Sequence, residues 1–83
     1  MGLDTVELIY NLELHFAIRI PHEEAAKCTT VQDVYELVLR QLPAAPNPQK
    51  IYAEVVQFIA HQAGYEIHKI QPHRSLTNDL GLD

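Results

Sequence analysis

The sequence predicts an all-α fold: a small four-helix bundle, three longer helices plus one short, with a long loop packed across it. Three observations carry that prediction. Apolar residues recur at helical spacing in three separate segments. Pro43-Ala44-Ala45-Pro46-Asn47-Pro48 breaks the chain once, between two helical blocks. The 83 residues suffice for one domain, and 47% of them are hydrophobic, enough for a core.

The first helix is expected over Leu3–Phe16, a stretch without Gly or Pro whose Asp4 and Glu7 favour the positive end of the helix dipole. Val6, Leu8, Ile9, Leu12 and Phe16 read as one broad core arc. Leu3, Tyr10 and Leu14 form a narrower apolar stripe beside Glu7. Pro21 closes the next stretch, and His22–Lys27 reads as a short helix. Thr30 is a candidate N-cap, with Asp33 three residues later giving an imperfect capping box. Behind it Val31, Val34, Tyr35, Val38, Leu39 and Leu42 form an apolar stripe. The last helix is expected from Pro48 or Gln49 to Ala63, with Ile51, Val55, Phe58 and Ile59 facing the core and Gly64 as its stop. Tyr65–Asp83 reads as loop, pinned by Ile67, Ile70, Leu76 and Leu80, with one helical turn at Ser75–Asp79.

Composition excludes several functions. A formal charge of −5 argues against nucleic acid. No apolar run approaches the ~18 residues of a membrane span. There is no signal peptide, Met1-Gly2 reads as a start plus one added residue, and the lone Cys28 forbids an internal disulfide. A cytoplasmic protein is expected. The five histidines form no H-x-x-x-H or H-x-H pair on one helix, and Asn78, Asp79 and Asp83 lack calcium-loop spacing, so no metal site is expected. No nucleophile–base set or phosphate-cradling glycine loop can be assembled, so no enzyme is expected.

The two ends carry the most specific signal. The chain closes with Leu80-Gly81-Leu82-Asp83 and opens with Gly2-Leu3-Asp4-Thr5-Val6-Glu7-Leu8. End placed before beginning, with a serine between, the join reads L-G-L-D-(S)-L-D-T-V-E-L. That string resembles the prosthetic-group site of acyl carrier proteins, where the serine of a D-S-L triplet carries 4′-phosphopantetheine. In this permuted order the resemblance covers nearly the whole chain. Ile51–Gly64 is similar to the family's first helix. Ile67–Asp83 is similar to its long loop, ending in Asp79-Leu80-Gly81-Leu82-Asp83, and Leu3–Phe16 to its second helix. Ile18-Arg19-Ile20-Pro21 matches the family's I-x-I-P turn. Glu23-Glu24-Ala25 resembles its short third helix, and Thr29-Thr30-Val31-Gln32-Asp33 the start of its last. One domain is thus expected over 1–83: residues 1–42 as the second to fourth family helices, 43–50 as linker, and 51–83 as first helix and long loop.

The resemblance implies function, and one departure limits it. The attachment serine is missing; Gly2 stands in its slot, flanked by Asp83 and Leu3, and Ser75 follows Arg74 inside the long loop. The expectation is an engineered circular permutant, a scaffold of fatty-acid or polyketide-type acyl transfer that holds no cofactor and carries no acyl group. Its partners would be carrier-dependent enzymes, docking on Leu3, Asp4, Glu7, Tyr10, Glu13 and Leu14. Phe16, Ile20, Ala25, Cys28, Val38 and Phe58 sit at positions like the family's acyl pocket, and without the prosthetic arm they read as plain core. The rival expectation is an interaction module whose blocks pair between chains as a domain-swapped oligomer. A piece of a tandem carrier array gives the same residue order.

Overall fold

Helix boundaries follow from groups that lie close by in the chain. A computed structural model describes residues 3–43 and 47–82. Its order is α1 (Leu3–Phe16), α2 (His22–Ala26), α3 (Val31–Gln41), α4 (Pro48–Ala63) and a 3-10 turn at Ile67–Lys69. α1 stops where Ala17 turns to a positive φ of 53° and the Ile18 N–H reaches back to the Glu13 carbonyl at 3.1 Å. A non-glycine residue in that left-handed conformation is strained, so no residue type announces this stop in the sequence. α4 has the usual markers. Asn47 Oδ1 accepts the N–H groups of Gln49 and Lys50, Pro48 occupies the first turn, and Gly64 closes the helix at φ 76°.

α3 begins with a complete capping box, where the sequence promised an imperfect one. Thr30 Oγ1 accepts the Asp33 N–H, and Asp33 Oδ2 accepts the Thr30 N–H. Aspartate reaches back here because Thr29 also points its N–H and hydroxyl at the same oxygen, each at 3.0 Å. The free N–H groups of Val31 and Gln32 find the carbonyls of Arg74 and Pro72, and Leu76 N–H returns a bond to Thr29 O at 2.8 Å. The long loop therefore satisfies the start of α3.

α4 packs against α1, α3 and the 3-10 turn, while α2 packs on α3. The two blocks on either side of the Pro43–Lys50 joint thus meet within one chain. The core holds Leu8, Ile9 and Leu12 of α1, Val31, Val34, Leu37 and Val38 of α3, and Ile51, Val55, Val56, Ile59 and Ala60 of α4. Ile70, Leu76, Leu80 and Leu82 enter it from the loop. Gly81 between the last two leucines has φ 71°, a conformation that favours glycine. The Ser75–Asp79 turn closes with an Asp79 N–H to Ser75 O bond of 3.1 Å.

Several sequence assignments of burial change, and Phe16, Tyr35, Leu39 and Leu42 of the expected core stripes are half-buried. Val6, expected in the core, is 44% exposed, because at about 100° per residue it lies about 160° around the helix from Leu8. Ile67, expected as an anchor, is exposed, since the 3-10 turn delivers Ile70 to the core in its place. Phe58 is only half-buried, while Val56 and Ala60 are buried: α4 is covered on two sides, so its apolar arc is wider than one stripe.

The Asp33 carboxyl is held below its usual pKa, chiefly by the Thr29 N–H, against an opposing burial effect and with help from Thr30. Its cap is therefore fully formed above the ordinary carboxylate pKa and is lost as pH falls through the lower folded-state value. Asp33→Asn should cost roughly 1 kcal/mol near neutral pH. In urea melts taken from about pH 5 to about pH 2, the wild type should lose more stability than the variant. Parallel acid limbs would contradict this role.

Candidate functional site

The outward face of α1 is the least expected surface on the molecule. Tyr10 is 59% and Leu14 63% exposed, and Val6 joins them on the same side. A helix inside a water-soluble bundle ordinarily keeps one apolar stripe, toward the core. α1 has that stripe in Thr5, Leu8, Ile9 and Leu12, all buried, and a second one that stays exposed among the described residues.

The carboxylates beside this stripe are not equivalent. Glu7 is exposed, and its Oε2 accepts a 3.4 Å bond from Gln62 Nε2 on α4. Glu13 is half-buried, and its Oε2 accepts the Ile20 N–H at 2.8 Å, clamping the turn between α1 and α2. Asp4 is half-buried in the first turn. Among the docking residues expected from the sequence, Tyr10, Leu14 and Glu7 are thus freely presented, while Glu13 has a structural task. Val6 is the member that sequence reading missed; a helical-wheel comparison with Tyr10 finds it. Gly2, Asp83 and the side chain of Leu3 lie outside the described residues, and with them the expected slot of the attachment serine. Leu82, the last described residue, is buried and its N–H donates to Leu76 O at 2.8 Å.

None of the clefts described here is lined by all six residues expected around an acyl pocket. Ile20 and Ala25 face a cleft of about 230 Å³ shared with Val6, Ile9 and Tyr10, with Glu13 and His22 in its lining. Phe16 lines a different cleft near Leu42 and Ile51, and Phe58 a third near Asn11 and His61. The His15 ring links these two phenylalanines, with centroids 4.8 Å from Phe16 and 4.9 Å from Phe58. His15 Nε2 also lies 3.0 Å from Glu54 Oε1, tying α1 to α4. Val38 is fully buried and Cys28 half-buried, and neither lines these clefts. Ser75 serves its own turn: its N–H donates to Asp79 Oδ2 at 2.7 Å and its hydroxyl oxygen accepts the Asn78 N–H.

Among the described residues no cluster of three or more His, Cys, Asp or Glu side chains is arranged to hold a metal ion. No helix among them is long and apolar enough to cross a membrane.

The chain is similar to the acyl carrier protein of Thermosynechococcus vestitus (strain NIES-2133 / IAM M-273 / BP-1). The two are 50% identical over 43 residues, which cover 52% of this chain and 53% of that protein. The chain therefore spans about half the length of the curated relative it matches. No protein-family model and no solved structure matches it.

The lone thiol, Cys28, donates to the Glu24 carbonyl at 3.7 Å. Burial first, then the nearby Asp33 charge, pushes its pKa up to about 11. Since the thiolate is the reactive form, Cys28 should react with a disulfide reagent near pH 8 about a hundredfold more slowly in the native protein than in urea. Equal rates in the two states would remove the burial argument.

Proposed function

We propose that the chain is an acyl carrier scaffold in circularly permuted order, opened where carriers hold their phosphopantetheine serine. It keeps the carrier bundle and a docking face but bears no acyl group itself. The observation that carries this reading is the outer face of α1, where Val6, Tyr10 and Leu14 stand exposed beside Glu7. Contiguous apolar side chains with a charged rim suit a protein interface, and the acid beside them calls for Arg or Lys on the partner. Carrier-dependent enzymes of fatty-acid or polyketide-type acyl transfer fit that description. The chain acts as a scaffold and not as a catalyst, in the cytoplasm.

The half-length match supports the permuted order. A collinear alignment can follow residues 1–42 or residues 51–83 against an unpermuted carrier, but not both. Either choice leaves about half of each protein unmatched, as is found with the cyanobacterial carrier. In this reading the parent order is α4, long loop, α1, α2 and α3, and Pro43–Lys50 joins the former ends. The segment leading to the opening, Leu80-Gly81-Leu82, is held by burial of both leucines, so the cut need not loosen the bundle. Opening and rejoining a domain at this site marks an engineered chain.

Two experiments test the reading separately. Incubation with a phosphopantetheinyl transferase and coenzyme A should leave the intact mass unchanged, whereas a pantetheine-sized gain would refute the claim that the chain carries nothing. For docking, Glu7→Lys and Leu14→Ala should each weaken binding to a carrier-dependent enzyme by roughly two- to tenfold at low salt. Binding curves that superimpose on the wild type would dismiss the α1 face.

A further inference from the structure

Two of the six Lys and Arg residues of the chain lie in the loop after α4. Lys69, at the end of the 3-10 turn, and Arg74, just before the Thr30–Ser75 bridge, line one cleft of about 210 Å³ with Tyr65, Asp79 and Leu80. The ion pairs among the described residues are His15–Glu54, Arg40–Glu24 and His68–Glu66, so neither cation of the cleft is in a direct ion pair. Asp79 shares the cleft and its Oδ2 accepts the Ser75 N–H, so two cations and one carboxylate leave the lining one net positive charge. The Arg74 Nε–H is buried and finds no acceptor among the described residues. A buried guanidinium N–H without an acceptor is costly, and such an orphan marks a place for an acceptor from outside the chain.

We propose that this cleft binds a phosphate-type oxyanion, either the free ion or the phosphate of a small phosphomonoester. Arg74 offers its unused Nε–H and the charge of a planar guanidinium, Lys69 a second point charge, and the Tyr65 hydroxyl a neutral donor. The Leu80 side chain supplies an apolar wall, against which such bonds are stronger than in open water. A bound anion would bridge the 3-10 turn to the turn at Arg74, stiffening the loop that caps α3. The site lies apart from the α1 face and does not depend on the carrier reading.

The test is a titration of the whole protein with sodium phosphate at constant pH and ionic strength, with chloride as control, followed in ¹H–¹⁵N spectra. Saturating shifts are expected at Tyr65, Lys69, Arg74 and Leu80 and at the Arg74 Nε–H signal. Lys69→Gln, at an exposed position, should weaken binding at least about tenfold, while Lys27→Gln should leave it unchanged. Arg74→Lys should also weaken it, because it keeps the charge and removes the Nε–H. A second arm with glycerol 3-phosphate separates the sources: tighter binding than phosphate assigns the phosphomonoester, and equal or weaker binding assigns the free ion. Shifts that grow linearly without saturating, or a Lys69→Gln variant that binds as tightly as wild type, would overturn the proposal.

Discussion

Burial of α4 on two sides is the constraint on which the remaining architecture rests. Its Ile51, Val55, Val56, Ile59 and Ala60 span more than a single stripe, and neither α1 nor α3 alone can cover them. Each neighbour in turn buries its own apolar arc on α4. The three long helices are therefore interdependent, as expected of a small domain whose stability is a narrow difference between burial and lost chain entropy. Because α4 follows the proline-rich joint, this packing also brings residues before and after the joint into one core.

The long loop is the second structural partner, and it works through hydrogen bonds as much as through burial. α3 exposes its first N–H groups toward it, and the loop answers with the carbonyls of Pro72 and Arg74. Leu76, Leu80 and Leu82 then lock that register from the apolar side. A loop tied at both levels is not free to drift, and this keeps Lys69, Arg74 and Asp79 together at one cleft.

α1 divides its residues between these demands and the outside. One arc enters the core, Glu13 clamps the turn toward α2, and Val6, Tyr10 and Leu14 remain uncovered. That residue of apolar surface has no use in the fold described here, and for this reason it carries the functional reading. The half-length similarity to a cyanobacterial acyl carrier protein points the same way.

The amino-acid order alone was enough for the helix content and most boundaries. The limits of α4, the Thr30 cap and the Gly64 stop all depend on short-range groups: caps, prolines and a glycine. The wide arc of α4, the exposure of Val6 and Ile67, and the burial of Leu37 and Leu82 were decided by which helix or loop lies opposite each residue. The same holds for Glu13: its spacing suggests a surface acid, and only the path of the chain through Ala17 brings the Ile20 N–H within its reach. Phe16, Phe58 and the pair Ile20 and Ala25 likewise line separate clefts. Helical period fixes the side of a helix on which a residue sits, whereas a shared cavity needs the relative placement of several helices, which only the folded chain determines.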